Sequence, residues 1–192
     1  MRRDEDTGHR LEAYSDAVFS VIVTIMVLEL KAPEEPAFSA LWPLWPTLIS
    51  YAVSYVFIAI IWSNHRYLAR LVGVPTLGLI WINFVHLFIV SLLPFATAWV
   101  ARTRLASSSV AFYAGLFVCA DTVYNIFERE VLARTKATHV SEHVRRVARC
   151  RSLVVLAIFT TAMLVAFVAP RLSFALVCGA LTLHLRPDLT NR

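Results

Sequence analysis

Charge is scarce in this 192-residue chain. Asp, Glu, Lys and Arg make up 16% of it, against about 25% in an ordinary soluble domain. Hydrophobic residues make up 58%, and mean hydropathy is +0.66. So few charges could not cover the apolar surface of a water-soluble fold of this size. Glycine (5) and proline (8) are few, and no low-complexity tract occurs, which excludes collagen-like and disordered chains. The three cysteines, Cys119, Cys150 and Cys178, are too few and too dispersed for a disulfide scaffold and are expected to stay reduced. Catalytic signatures are missing too. There is no His-Glu-x-x-His, no Gly-x-Ser-x-Gly and no phosphate loop, so no enzyme class is indicated. The class left is an integral membrane protein.

What is present is a series of long apolar runs. A membrane-crossing helix needs about 20 mostly apolar residues. Six segments approach that length, at about 11–30, 44–64, 76–100, 110–127, 153–169 and 172–185. The last is the shortest. The expectation is an all-α membrane protein with six transmembrane helices in one domain and a basic cytoplasmic loop at 128–151, whose HVSEHVRRVARCR has a helical periodicity that could extend the fourth and fifth runs beyond the membrane. Pro33 and Pro36 close the first run, and Trp42 and Trp45 sit where an aromatic belt belongs. Pro170 and Arg171 make the turn between the last two runs. The polar start MRRDEDTGHR does not read as a cleaved signal, so the first run is expected to be retained. No internal repeat is visible.

Basic residues orient these runs. Of the 18 Lys and Arg residues, 14 fall on the side that holds both termini and 4 on the other. The excess places both termini in the cytoplasm of a multi-pass protein of the cell membrane. The formal charge of +5 is therefore an orientation signal and not a mark of nucleic-acid binding. The arginine-rich run at 145–151 is expected to meet anionic headgroups.

Ionisable side chains within apolar runs are costly and need partners or water. The first run carries Asp16 and Glu29, the third Asn83 and His86, the fourth Asp121 and Asn125. Asp121 and Glu29 read equally well as interfacial groups that pair with other polar residues. His86 and His184 read as hydrogen-bonded packing residues. His139 and His143 have a helical metal-pair spacing but lie in a strongly basic loop, so no metal or other cofactor is expected. At about 100° per residue, Ala17, Val21, Thr24 and Leu28 form one narrow stripe of the first helix. That stripe either packs on a neighbouring span, with Thr24 bonded to its own i−4 carbonyl, or lines a passage.

The stretch RLEAYSDAVFSVIVTIMVLEL resembles the signature of the transmembrane protein 175 potassium-channel family: an Arg, three variable residues, then Phe-Ser-Asp at the start of the first span. Arg10, Ser15 and Asp16 match it, and Tyr14 replaces Phe. SYAVSYVFIAIIWSNHR is similar to that family's second span and INFVHLFIVSLLPFATAW to its third. The resemblance covers about residues 10–99.

It implies a homotetramer in the lipid bilayer, with the first span of each subunit lining a central pore for potassium ions. It puts Val21 at the family's aliphatic gate, with Leu28 as a second constriction and Thr24 at the hydroxyl ring tied to potassium preference. Val21 is smaller than the Leu or Ile usual at that gate. The resemblance also implies a structural network of Arg10, Tyr14, Ser15 and Asp16 with Trp62, His65 and Asn83. In it, arginine and hydroxyl donors hold the carboxylate. Glu29, Glu34 and Glu35 would draw cations to the outer mouth or form a plain solvated loop. The rival functions are a secondary transporter or proton-leak pathway, a non-conducting scaffold, and an intramembrane enzyme using Asp16, His65 and Asp121.

Overall fold

The structure, a computed structural model, describes residues 2–72, 74–134 and 142–184, with side chains except at 2–7, 70, 142–145, 148 and 184. Helix α1 spans Arg2–Leu28 and ends in two tight turns, Glu29 N–H to Met26 O and Leu30 N–H to Val27 O. A 3-10 segment, Phe38–Leu44, then leads into α2, Trp45–Leu71. Pro46 stands in the first turn of α2, where its missing N–H costs no helical bond. Thr76 caps α3, Leu77–Ser91, by accepting the Leu79 N–H at 3.4 Å.

The third apolar run is not one continuous helix. It divides into α3 and α4, Leu93–Arg102. Pro94 has no N–H to give to the carbonyl one turn earlier, so the ladder is interrupted and restarts with Pro94 in the first turn of α4. Leu92 makes a 3-10 bond to Ile89 O and then accepts from Ala96, which keeps the two pieces in series as a bent rod. Arg104 and Leu105 have φ of 49° and 63°, a left-handed turn in which Leu105 N–H bonds Val100 O. The conformation costs roughly 1–2 kcal/mol per residue and is held by burying the Leu105 side chain.

Helices α5, Ser107–Arg134, α6, Glu142–Val165, and α7, Pro170–His184, complete the chain. Where it is described, the stretch expected as a basic loop at 128–151 is helical: α5 runs to Arg134 and α6 begins at Glu142. Among the described residues there are therefore six rods, counting α3 and α4 as one, and no strand. Four stretches are long and apolar enough to cross a membrane: Gly8–Leu28, Phe38–Ala69, Leu77–Arg102 and Ser107–Arg134; Pro170–Leu183 is a shorter apolar helix.

Helix α5 is the hub and packs against α2, α3, α4, α6 and α7. Lipid gives apolar side chains no reason to leave it, so packing must come from close fit and from hydrogen bonds. Small residues supply the fit: Ala111, Ala114 and Ala120 on α5, Ala162 on α6 and Ala166 in the turn after it are buried, and a Cβ on Gly115 would touch Met163 at 3.4 Å. Phe57 stacks on Phe117 at 3.8 Å between ring centres, and Phe159 meets Phe117 edge-on at 5.2 Å. Helix α1 lies to one side of this hub, against α2, α3 and α4.

Candidate pore-lining face and its buried anchor

Helix α1 has two faces. Ser15, Phe19, Ile22 and Met26, spaced by four, three and four residues, are buried against the rest of the chain. The opposite arc, comprising Ala17, Ser20, Val21, Thr24, Ile25, Val27 and Leu28, is exposed. Val21 is 54% exposed and Leu28 78%. These are apolar or hydroxyl side chains left exposed by the rest of the described residues.

The hydroxyl groups on this arc have already committed their protons. Thr24 Oγ1 donates to Val21 O at 2.8 Å, one residue closer than the i−4 carbonyl expected from the sequence. Ser20 Oγ donates to Asp16 O at 2.8 Å. With its hydrogen bound to the backbone, each oxygen turns its lone pairs outward and acts as an acceptor.

In the N-terminal half of α1, a set of polar contacts fixes its buried side. Asn83 Nδ2 on α3 donates to Ser15 Oγ at 3.0 Å, and Ser15 in turn donates to Leu11 O. Asn83 Oδ1 accepts from His65 Nε2 on α2 at 2.6 Å, which fixes the proton on that nitrogen. One amide thus joins α1, α2 and α3. Next to it, Trp62 Nε1 donates to Asp16 Oδ1 at 2.8 Å. The hydrogen bond described for the Asp16 carboxylate therefore comes from an indole and not from arginine or hydroxyl donors. Arg10 is exposed, and Tyr14, 51% exposed, meets the Phe84 ring edge-on at 5.5 Å, so both stand outside this bonded set.

Aromatic rings seal the anchor. His65 stacks on Phe127 at 5.3 Å and lies parallel to His86 at 6.2 Å, and Phe19 turns its edge to both histidines. His86 is buried, and its Nε2 has no hydrogen-bond partner among the described residues, so that edge of the ring is held by packing and not by the hydrogen bond expected. Asp121 is also buried and accepts from Asn125 on its own helix at 3.2 Å. His139 and the side chains of His143 and His184 lie outside the described residues.

A family model described as "Endosomal/lysosomal potassium channel TMEM175" matches residues 10–94. A protein of Chryseobacterium sp. (strain P1-3) named a potassium channel is 37% identical over 126 residues, 66% of either chain. One of Chamaesiphon minutus, also named a potassium channel, is 33% identical over 129 residues, 62% of this chain and 63% of that one. The crystal structure of a lysosomal potassium-selective channel TMEM175 homolog from Chamaesiphon minutus superposes with a TM-score of 0.80 at 26% identity, covering 93% of this chain and 97% of the other. The chain belongs to the TMEM175 family.

Alignments with these two curated potassium-channel relatives span no more than 66% of the relatives' lengths. A TMEM175 protein of Rattus norvegicus named an endosomal/lysosomal proton channel is 29% identical over 102 residues, 49% of this chain and 20% of that one. The family-model match ends within α4, so it contains both faces of α1 and every residue of the anchor.

Two features of this TMEM175 chain were not legible as sites in its sequence. The first is a buried hydroxyl chain: Tyr113 OH and Ser54 Oγ are 2.7 Å apart, Ser54 Oγ and Thr97 Oγ1 are 2.7 Å apart, and Thr97 donates to Leu93 O. Because the Thr97 proton goes to the backbone, the chain runs one way, from Tyr113 to Ser54 to Thr97. Polar Ser54 and Thr97 within apolar runs were its only sequence signal. The second is an ion pair, Glu29 to Arg102 at 2.9 Å, between the C-terminal end of α1 and α4. It stands over a cavity of about 300 Å³ walled by Met26, Leu44, Tyr51 and Thr97. Glu29 is thus one of the polar groups that pair, whereas Glu34 and Glu35 are exposed in the following loop.

Proposed function

We propose that this TMEM175 protein is a potassium-permeable channel of the cell membrane. Several copies, four by family resemblance, would bring α1 around a common axis. Six spans per subunit (α1, α2, the bent α3–α4 rod, α5, α6 and α7) would leave both termini in the cytoplasm. The observation that carries this reading is the uncovered arc of α1. The buried polar network holds α1 by its other face and leaves Val21, Thr24 and Leu28 uncovered within the subunit, which frees that stripe to face a shared axis.

In this arrangement Val21 forms an aliphatic ring that closes the passage by expelling water, with Leu28 as a second constriction nearer the outside. The Thr24 oxygens, with lone pairs facing inward, replace part of the hydration shell of a weakly hydrated cation. Four hydroxyls give less discrimination than a filter built of backbone carbonyls, so potassium is preferred modestly over sodium. The exposed Glu34 and Glu35 raise the local cation concentration at the outer mouth.

The test is flux from purified protein in liposomes loaded with potassium and given a driving potential. Potassium efflux faster than carrier turnover supports the reading, and absence of flux at several pH values and voltages refutes it. Proton permeation is the second reading, favoured by the mammalian relatives named proton channels. A pH-sensitive dye inside the same liposomes separates the two.

A further inference from the structure

The two flanks of α1 differ in shape. At about 100° per residue, Tyr14 and Val18 lie at one edge of the uncovered arc, and Asp16, Ser20 and Val23 at the other. The Tyr14 edge meets Phe84 of α3 and the Asp16 edge meets Trp62 of α2, so α3 and α2 stand on opposite sides of α1. On the α2 side is a mostly apolar groove of about 380 Å³, walled by Phe19, Val23, Tyr55, Ile58, Ala59 and Trp62, with the Ser20 hydroxyl, bonded to its own backbone, at its α1 wall. On the α3 side is a ridge. Leu77, Trp81, Phe84 and Phe88 repeat at intervals of four, three and four residues and stand exposed, Phe88 at 66%.

We propose that the ridge on α3 of one subunit seats in the α1–α2 groove of the next, with Phe88 as its central knob. The proposal rests on the reading of α1 as the pore helix. A ring of identical subunits needs a head-to-tail interface in which two different patches fit each other. With α1 facing the axis, the two flanks are the surfaces that adjacent subunits present.

Depth supports the match, because rotation about an axis normal to the membrane leaves every residue at its own level. Helix α2 runs antiparallel to α1, and Trp62 is level with Asp16, which brings Ala59 level with Phe19. Helix α3 runs parallel to α1, and Phe84 is level with Tyr14, which brings Phe88 level with Val18. Knob and groove therefore differ by about one residue, roughly 1.5 Å of helix rise. No charged residue lines the groove or sits among the four ridge residues, so burying one in the other strands no ion.

Cysteine cross-linking in native membranes tests the seat. With Cys119, Cys150 and Cys178 changed to Ser, the pair Ala59→Cys and Phe88→Cys is oxidised and resolved on a denaturing gel. A ladder of dimer, trimer and tetramer from the pair, with none from either single cysteine, is the expected result. Tyr55→Cys with Ser91→Cys repeats the test one turn nearer the outside and leaves Phe88 intact. Dimers from Phe88→Cys alone would mean that ridge meets ridge, and failure of both pairs to cross-link would remove the interface; either overturns the proposal. Potassium flux from the same cysteine-free protein is read separately. Flux without a ladder discards the interface and leaves the channel reading, whereas a ladder without flux does the reverse.

Discussion

Replacing Trp62 by Phe removes the indole N–H together with part of the ring system, and keeps an aromatic ring at that place beside α1. The native indole lies 5.5 Å beneath the Arg66 guanidinium. The polar loss is the 2.8 Å bond to the half-buried Asp16 carboxylate. A hydrogen bond to a charged group contributes about 1.5–3 kcal/mol, and 1 kcal/mol shifts the unfolding midpoint by roughly 2–4 °C in a chain of this size. Trp62→Phe is therefore expected to lower the midpoint in detergent by roughly 3–12 °C. Asp16→Asn, which keeps a neutral acceptor, should cost about half as much.

The decisive comparison is a double-mutant cycle. In an Asp16→Ala background the Trp62→Phe change should cost less by the share of the hydrogen bond, since its partner is gone and only the loss of ring packing is left. Equal losses in the two backgrounds, or a midpoint unchanged in Trp62→Phe alone, would refute the claim that this bond fixes α1. Oligomers that survive the Asp16 changes should keep their ion preference, because the carboxylate sits on the edge of α1 away from Val21 and Thr24. Normal assembly with altered preference would contradict that placement.

Shortening Val21 to Ala removes two methyl groups per subunit, about 1.6 kcal/mol at ~0.8 kcal/mol per CH₂, and should raise resting potassium leak in liposomes more than about tenfold. Unchanged leak would move the gate elsewhere on α1. Thr24→Val keeps the shape and removes the outward oxygen. It should cut the potassium-over-sodium permeability ratio by roughly 2- to 10-fold, equivalent to about 0.5–1.5 kcal/mol, measured as a reversal potential under bi-ionic conditions. Ser54→Ala leaves the Tyr113 hydroxyl without its acceptor in a buried site. It should cost about 1–3 kcal/mol, seen as an earlier thermal midpoint with unaltered ion preference.

Much of the helical layout could be read from composition and periodicity, because hydrocarbon forces backbone bonds to close within each segment and marks the segments with apolar side chains. The stripe of Ala17, Val21, Thr24 and Leu28 follows from helical spacing alone, and the structure places all four on the uncovered arc. One local feature was missed. Pro94 lies inside a run apolar enough to look continuous, yet its missing N–H divides the rod. The periodicity of the basic 142–151 segment was legible, and its backbone forms the start of α6. Long-range polar pairs were harder. Ser54, Thr97 and Tyr113 are 43 and 59 residues apart in pairs, and no spacing rule connects them. Asp16 could be seen to need a partner, but only the packing of α2 against α1 identifies that partner as Trp62.

The Glu29–Arg102 pair ties the C-terminal tip of α1 to the short helix α4, which starts at the Pro94 break, in the same subunit. If α1 tilts outward to widen the passage, either this clasp parts or α4 swings with it about the proline break. Because both side chains face water, parting costs at most about 1 kcal/mol, which weights the two positions about fivefold and locks neither. Ionic strength on the side of the membrane that bears Glu29 should then act as a mild control on opening, with salt loosening the clasp before it touches the anchor buried at the opposite end of the helix.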